Sequence, residues 1–376
     1  GINHKEFGVT ALGVVKFADL TMQELGINIQ KNPFTVKFTG GPNGDVAGNA
    51  MSQLLDLCPF VMINMILDET GVFYDPLGAD KKELRRILLK EDLEGFDPKA
   101  LHRGGYILYR QKTKMDGMRQ VFKKVVCGHT GLKEYWVSSD EFYHEFDHVI
   151  FKVSADLFIP TNGRPETIDV KNFHRFFNED GSLLNRAIVE ATNLFISPSA
   201  KIELQKKGMI IISDTSASKC SVIASAYEII ANLLLSEKEL LSIKERYVSQ
   251  VIAILKKRAE EEASLIFDRY KKAQGSLLYS EISDAVSTEI NNHYATSYDF
   301  FRHNPSYCDK PLYQKAILSH LPEILKNNET FCKRIDSLPQ KYKAAILASE
   351  IAAFIVYRGD NKASFIHMVE GHLSQI

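Results

Sequence analysis

Thr35-Val36-Lys37-Phe38-Thr39-Gly40-Gly41-Pro42-Asn43-Gly44-Asp45-Val46-Ala47-Gly48-Asn49 reads as a short β-strand that runs into a glycine turn and opens a helix. Glycines let backbone come close to a ligand, and the free N–H groups at a helix start point at an anion. The arrangement therefore builds a seat for a pyrophosphate. Gly41-x-x-Gly44-x-x-x-Gly48 is a loosened form of G-x-G-x-x-G with longer spacing. Gly44 falls where backbone would approach phosphate, and Gly48 where the helix would pack on the strand. Asp45 suits the helix dipole but would repel a pyrophosphate if it pointed inward, so it is expected to point away. The turn offers Gly41, Gly44, Asp45, Val46 and Gly48 as dinucleotide contacts.

Downstream, Phe60 to Leu67 forms a second apolar strand, and it ends on Asp68. A carboxylate at that position is placed to accept hydrogen bonds from the 2′- and 3′-OH of an adenosine ribose. The same charge repels a 2′-phosphate, which favours NAD over NADP. The alternative is a strand-end aspartate that caps the following turn.

Around this pair the chain alternates. From Gly1 to Asn32 the apolar spacing is helical. Phe34–Phe38, Phe60–Leu67, Ala155–Ile159, Ala187–Glu190 and Met209–Ile212 are short β-rich runs separated by helices or loops. Such runs predict a mostly parallel sheet covered on both faces, an α/β fold of the Rossmann type. Tyr106–Tyr109, Val121–Val126 and Tyr135–Val137 add possible strands within the sheet domain. After Leu235 the strands stop. Apolar residues from Leu241 to Tyr270 recur every three or four positions, which predicts one long amphipathic helix. Helical periodicity broken by Pro305, Pro311, Pro322 and Pro339 follows, and predicts an all-helical C-terminal domain. The expected division is residues 1–32 as a joining helical segment, 33–235 as the sheet domain and 236–376 as the helical domain.

Composition sets bounds on all this. The 376 residues are 45% hydrophobic and 25% charged with net charge −1, which is ordinary globular composition with no bulk attraction to nucleic acid or an anionic membrane. No apolar run is long enough for a membrane helix. The five cysteines are scattered, with no C-x-x-C pair, and suit a reducing compartment. The chain begins at Gly1 and is expected to be a piece of something longer.

Five blocks in register resemble the large NAD-dependent glutamate dehydrogenases. They are Asn3-His-Lys-Glu-Phe-Gly-Val-Thr-Ala-Leu-Gly-Val14, Gly40-Gly-Pro-Asn-Gly-Asp-Val-Ala-Gly-Asn49, Leu67-Asp-Glu-Thr-Gly-Val-Phe-Tyr-Asp-Pro-Leu-Gly-Ala-Asp80, Ala155-Asp-Leu-Phe-Ile-Pro-Thr-Asn-Gly-Arg-Pro165 and Glu190-Ala-Thr-Asn-Leu-Phe-Ile-Ser-Pro198. The resemblance implies NAD as cofactor and places Thr10 and Asn193 at the nicotinamide end. It puts Thr161 and Asn162 beside the nicotinamide ribose, and Ser225 against a substrate carboxylate. A turn or helix cap is the alternative job for Asn193 and Ser225. It also implies conversion of L-glutamate to 2-oxoglutarate and ammonia by a homo-oligomer in the cytoplasm, or in the mitochondrial matrix of a eukaryote. The family's catalytic lysine and aspartate belong to an upstream domain, so this chain is expected to bind dinucleotide without turning substrate over, and no catalytic residue is assigned within it.

Some positions depart from the family pattern. Its Asp-x-x-x-Asn-x-Gly-Gly-Val segment stands here as Asp214-Thr-Ser-Ala-Ser-Lys-Cys-Ser-Val222, with Ser218, Cys220 and Ser221 in place of asparagine and two glycines. Side chains there would narrow the cleft or forbid positive φ. Another amino-acid dehydrogenase of the same architecture, or an inactive NAD-binding or assembly module, therefore stays open. His144-Glu145-Phe146-Asp147-His148 matches the zinc motif H-E-x-x-H, but it runs directly into Val149-Ile150-Phe151 without a third ligand, and no metal site is expected.

Overall fold

Aromatic and β-branched side chains at Phe34, Thr35, Val36 and Phe38 suit a strand, and the strand they form is the pivot of the molecule's sheet. A computed structural model describes residues 2–358. α1 (His4–Phe7) and α2 (Val9–Glu24) precede β1 (Phe34–Thr39), and α3 (Asp45–Leu57) joins it to β2 (Val61–Asp68). A tight turn leads to β3 (Gly71–Tyr74), α4 (Lys81–Ile87) and the antiparallel strands β4 (Tyr106–Asp116), β5 (Arg119–Gly128) and β6 (Gly131–Ser138). Then come α5 (Ser139–His148), β7 (Ala155–Pro160), β8 (Asn185–Val189), α6 (Pro198–Lys206), β9 (Ile210–Ile212), the short α7 (Asp214–Ala217) and α8 (Lys219–Leu234).

The sheet order is β6-β5-β4-β3-β2-β1-β7-β8-β9. Strands β2, β1, β7, β8 and β9 are mutually parallel. The chain leaves β1 to one side for β2 and later returns to its other side for β7. That reversal opens a crevice at the carboxyl ends of β1 and β7, where doubly wound sheets hold their ligands. The α/β fold with a mostly parallel sheet core matches the sequence expectation, and the three additional runs are β4, β5 and β6. β3 was not foreseen: at four residues it is too short to show alternation, and it pairs directly back onto β2 with Asp68 opposite Gly71.

Buried charge is rare in such a core, and here it is placed deliberately. Lys37 on β1 is fully buried, and its Nζ donates to the Ile150 and Val153 carbonyls at 2.6 and 2.8 Å. It also lies 5.0 Å from the Phe158 ring and 5.2 Å from the Phe176 ring. Burial drives its pKa well below the ordinary lysine value. The Lys37 amino group thus ties the segment after α5 to the central strand.

The described residues divide into two compact units. One holds Asn3–Cys220 with Leu278–Ser280, and the other holds Ile2 and Ser221–Leu277 with the described residues from Glu281 on. The division falls inside α8, upstream of the Leu235 boundary read from the sequence, because that helix runs unbroken past the last strand. In the second unit, α9 (Glu237–Ala273) is the expected long amphipathic helix. It starts at a capping box in which Ser236 and Glu239 satisfy each other's backbone donors. α10 (Tyr279–His303), α11 (Pro311–His320), α12 (Glu323–Lys326), α13 (Glu329–Asp336) and α14 (Gln340–Arg358) follow, broken where the prolines predict. Arg258 of α9 pairs with Glu350 of α14 at 2.7 Å, and His320 Nδ1 lies 3.0 Å from the same carboxylate.

Candidate functional site

The glycine turn is shaped by what a side chain would strike. Gly40 has φ +108°, and a Cβ there would lie 2.0 Å from Thr161 Oγ1. A Cβ on Gly41 would lie 2.2 Å from Asp68 Oδ2, and one on Gly48 would lie 2.2 Å from the Pro42 carbonyl. Gly48 therefore lets α3 pack on the turn itself, where the sequence had suggested packing on the strand. Leu89 N–H closes the same place by donating to the Pro42 carbonyl at 2.9 Å. Gly44 is the N-cap of the 13-residue α3, and no side chain caps that end. Its N–H donates back to the Gly41 carbonyl, and the first-turn N–H groups of Asp45 and Val46, like those at any helix start, have no intrahelical partner. An uncapped helix start behind a glycine fits a pyrophosphate.

The carboxyl ends of β1 and β7 are locked together beside it. Thr161 donates to the Thr39 carbonyl from both N–H (2.8 Å) and Oγ1 (2.6 Å), and Thr39 Oγ1 donates to the Asn162 carbonyl. The next loop is pinned by a buried ion pair. Glu190 accepts from the Ile196 N–H at 3.1 Å through one oxygen and from Lys201 Nζ at 2.5 Å through the other. Burial pushes the Glu190 carboxyl up to about 7, against the pull of the Lys201 ammonium. This clip shapes residues 190–197, on which Asn193 stands exposed.

Asp68 shows the capping geometry. Its Oδ1 accepts from Thr70 N–H (2.7 Å), Thr70 Oγ1 (2.7 Å) and Gly71 N–H (3.1 Å), and its Oδ2 accepts from Leu93 N–H at 3.3 Å. Burial raises its pKa from the ordinary aspartate value, while the hydrogen bonds oppose the rise. It also lines a cavity of about 590 Å³ at the carboxyl ends of β1, β2 and β7. Thr39, Asn162 and Phe195 share that cavity, which Glu69, Arg110 and Arg164 also border. Its outer wall is Tyr143, Phe146, Asp147 and Ile150, from α5 and the turn after it. These wall residues were missed in the sequence. The one signal was the H-E-x-x-H stretch, whose Phe146 and Asp147 face the cavity. α5 ends at His148, and the His144 and His148 Nδ1 atoms lie 3.2 Å apart. Among the described residues, no group of three or more His, Cys, Asp or Glu is arranged to hold a metal ion.

Thr10 is not among the residues that line this cavity. Thr10 is buried near the start of α2. Ser225, on α8 in the other unit, is exposed and donates to the Ser221 carbonyl one turn back at 3.2 Å. Cys220 and Ser221 are α-helical, so neither needs positive φ, and Cys220 is buried facing Gly13. Side chains in place of the family's glycines therefore cost no backbone strain here.

Residues 1–274 match the family described as Glutamate/Leucine/Phenylalanine/Valine dehydrogenase. The NAD-specific glutamate dehydrogenase of Saccharomyces cerevisiae is 29% identical over 99% of this chain and 34% of its own length. The NAD-specific glutamate dehydrogenase of Neurospora crassa is 29% identical over 97% of this chain and 33% of its own. The chain thus spans about a third of the length of these relatives. Among solved structures, glutamate dehydrogenase 2 of Plasmodium falciparum is 14% identical with a TM-score of 0.47, covering 74% of this chain and 50% of that one. No described helix is long and apolar enough to cross a membrane.

Proposed function

Because this chain belongs to the Glutamate/Leucine/Phenylalanine/Valine dehydrogenase family, we propose that it is the NAD-binding part of an NAD-specific glutamate dehydrogenase. The observation that carries this reading is the uncapped, glycine-opened start of α3 at the sheet's reversal point, beside a cavity lined by Asp68. Gly41, Gly44, Val46 and Gly48 would seat the pyrophosphate on backbone, with Asp45 turned aside, and the β2 end would receive the adenosine ribose. Thr161, Asn162, Thr10 and Asn193 would hold the nicotinamide end, and Ser225 the substrate carboxylate. When bound, NAD supplies the hydride acceptor for oxidation of L-glutamate to 2-oxoglutarate and ammonia. The chain's own part is to bind and orient it. The lysine that activates water and the aspartate that moves protons would come from an upstream domain of the same polypeptide, and the whole would work as a homo-oligomer in the cytoplasm.

Calorimetry of this chain with NAD tests the binding half: a single site is expected, and no binding overturns the reading. Glutamate oxidation tests the rest. The chain alone should give none, and measurable turnover by it would remove the upstream domain from the mechanism. A panel of leucine, phenylalanine and valine on the longer polypeptide separates glutamate from the family's other substrates.

A further inference from the structure

Asp68 is the carboxylate that the sequence pattern marks for the ribose, yet its oxygens are already engaged. Oδ1 takes three donors from Thr70 and Gly71, which fills its acceptor capacity. Oδ2 takes Leu93 N–H and lies against Gly41 so closely that a Cβ there would be 2.2 Å away. The residue is 7% exposed. What these bonds build is a tight hairpin turn from β2 to β3, and the first residue of that turn is Glu69. Glu69 is exposed and borders the same cavity. Among the described residues, no hydrogen bond or ion pair engages its carboxylate.

Two guanidinium groups share the cavity. Arg110 stands beside the turn, since its N–H donates to the Thr70 carbonyl at 2.8 Å, and its guanidinium lies 5.6 Å from the Phe146 ring. Arg164 is exposed on the loop after β7. An arginine beside the β2–β3 turn, at the ribose end of a dinucleotide cavity, would welcome a 2′-phosphate unless a free negative charge opposed it.

We infer that Glu69 is the residue that excludes NADP, and that Asp68 is a positioning residue that folds the turn and aims Glu69 into the cavity. This rests on the dinucleotide reading proposed above and names the group that sets its cofactor preference. The exclusion works by repulsion: NAD meets a carboxylate that can accept its ribose hydroxyls, whereas the 2′-phosphate of NADP meets a like charge in a partly desolvated cleft.

Calorimetry with NAD and NADP on this chain, on Glu69→Gln and on Asp68→Asn tests the inference, with thermal melting measured alongside. Glu69→Gln should tighten NADP relative to NAD by about tenfold or more, because Arg110 loses its opposing charge. Its melting temperature should not move, since the side chain is exposed and unbonded. Asp68→Asn should lower the melting temperature and weaken both dinucleotides together, leaving their ratio unchanged. The inference is overturned if Glu69→Gln leaves the NAD-to-NADP ratio as it was, or if Asp68→Asn alone narrows it. A wild-type chain that binds neither dinucleotide, or that prefers NADP, strikes instead at the proposed function.

Discussion

On the β1 side of β2 the sheet is parallel and closely buried; on its β3 side it is antiparallel and, beyond the middle of β4, mostly exposed. Both halves border one cavity, and beside it, outside its lining, the parallel half carries a backbone seat: a glycine turn, an uncapped helix start, and carbonyls locked by Thr39 and Thr161. The antiparallel half and α5 present side chains: Arg110, Tyr143, Phe146. A pyrophosphate looks alike in every dinucleotide and suits a backbone seat, whereas cofactor identity has to be read by side chains. If that separation holds, substitutions in the parallel half should cost folding and all binding together, and substitutions in the other half should change affinity or preference on an intact fold.

The largest effect is expected at Glu190. Glu190→Ala leaves the Lys201 ammonium buried without its partner and frees the 190–197 loop, so a loss of about 3–5 kcal/mol is expected in chemical denaturation. The wild-type pair also makes a pH signature. The folded-state value for Glu190, about 7, lies above the ordinary 4.5, so the folded chain holds this proton more tightly than the unfolded one. Its contribution to stability is complete below about pH 4.5 and is lost as pH rises through about 7. Glu190→Gln should flatten that part of the stability-versus-pH curve. A variant curve parallel to wild type across this window would show that Glu190 does not titrate there.

Gly48→Ala comes next. The added methyl would sit 2.2 Å from the Pro42 carbonyl and 2.8 Å from Leu89 Cδ2, and the carbonyl can yield only if the turn's backbone moves. A loss of about 2 kcal/mol is expected, together with most of the NAD affinity, because the turn that carries the α3 N-terminus must shift. Stability falling while NAD affinity stays unchanged would separate the turn's packing from the cofactor seat and break the link between them.

How much of this was legible in the sequence follows the same division. Backbone sites leave glycines: Gly41 and Gly48 stand where no other residue fits such close approaches, and Gly44 was found with them by its spacing. Buried parallel strands leave continuous apolar runs, so β1, β2, β7 and β8 could be placed nearly to the residue. Glu190 and Lys201 are eleven residues apart with nothing in their spacing to pair them; only the folded loop brings them together. Asp68 could be located, but whether it met ribose or capped a turn depended on β3, a four-residue strand too short to announce itself. The α5 wall left only the H-E-x-x-H stretch, which reads as a zinc motif and not as a cavity wall. Tyr143 and Phe146 look like the apolar side of any amphipathic helix, and the sequence carries no mark of the direction in which that helix faces.

The α5 wall is also where the comparison is most easily sharpened. Tyr143 is 47% exposed and meets Phe142 edge-on at 5.2 Å between ring centroids, while Phe142 itself is buried and stacks on Phe122 at 4.2 Å. Removing the outer ring leaves the inner stack in place, so Tyr143→Ala should cost about 1 kcal/mol of stability or less. Adenine is the flat, apolar part of the dinucleotide, and a ring on the cavity wall is the group that could lie against it. Calorimetry should then show NAD weakened by about three- to tenfold, in line with ~1 kcal/mol for one aromatic contact. Phe142→Ala makes the opposite case: it opens the core beneath the wall and should cost about 3 kcal/mol or more in stability. If Tyr143→Ala binds NAD as well as the wild type, the antiparallel half contributes charge through Glu69 and Arg110 but no contact surface. The parallel half would then be the whole of the seat.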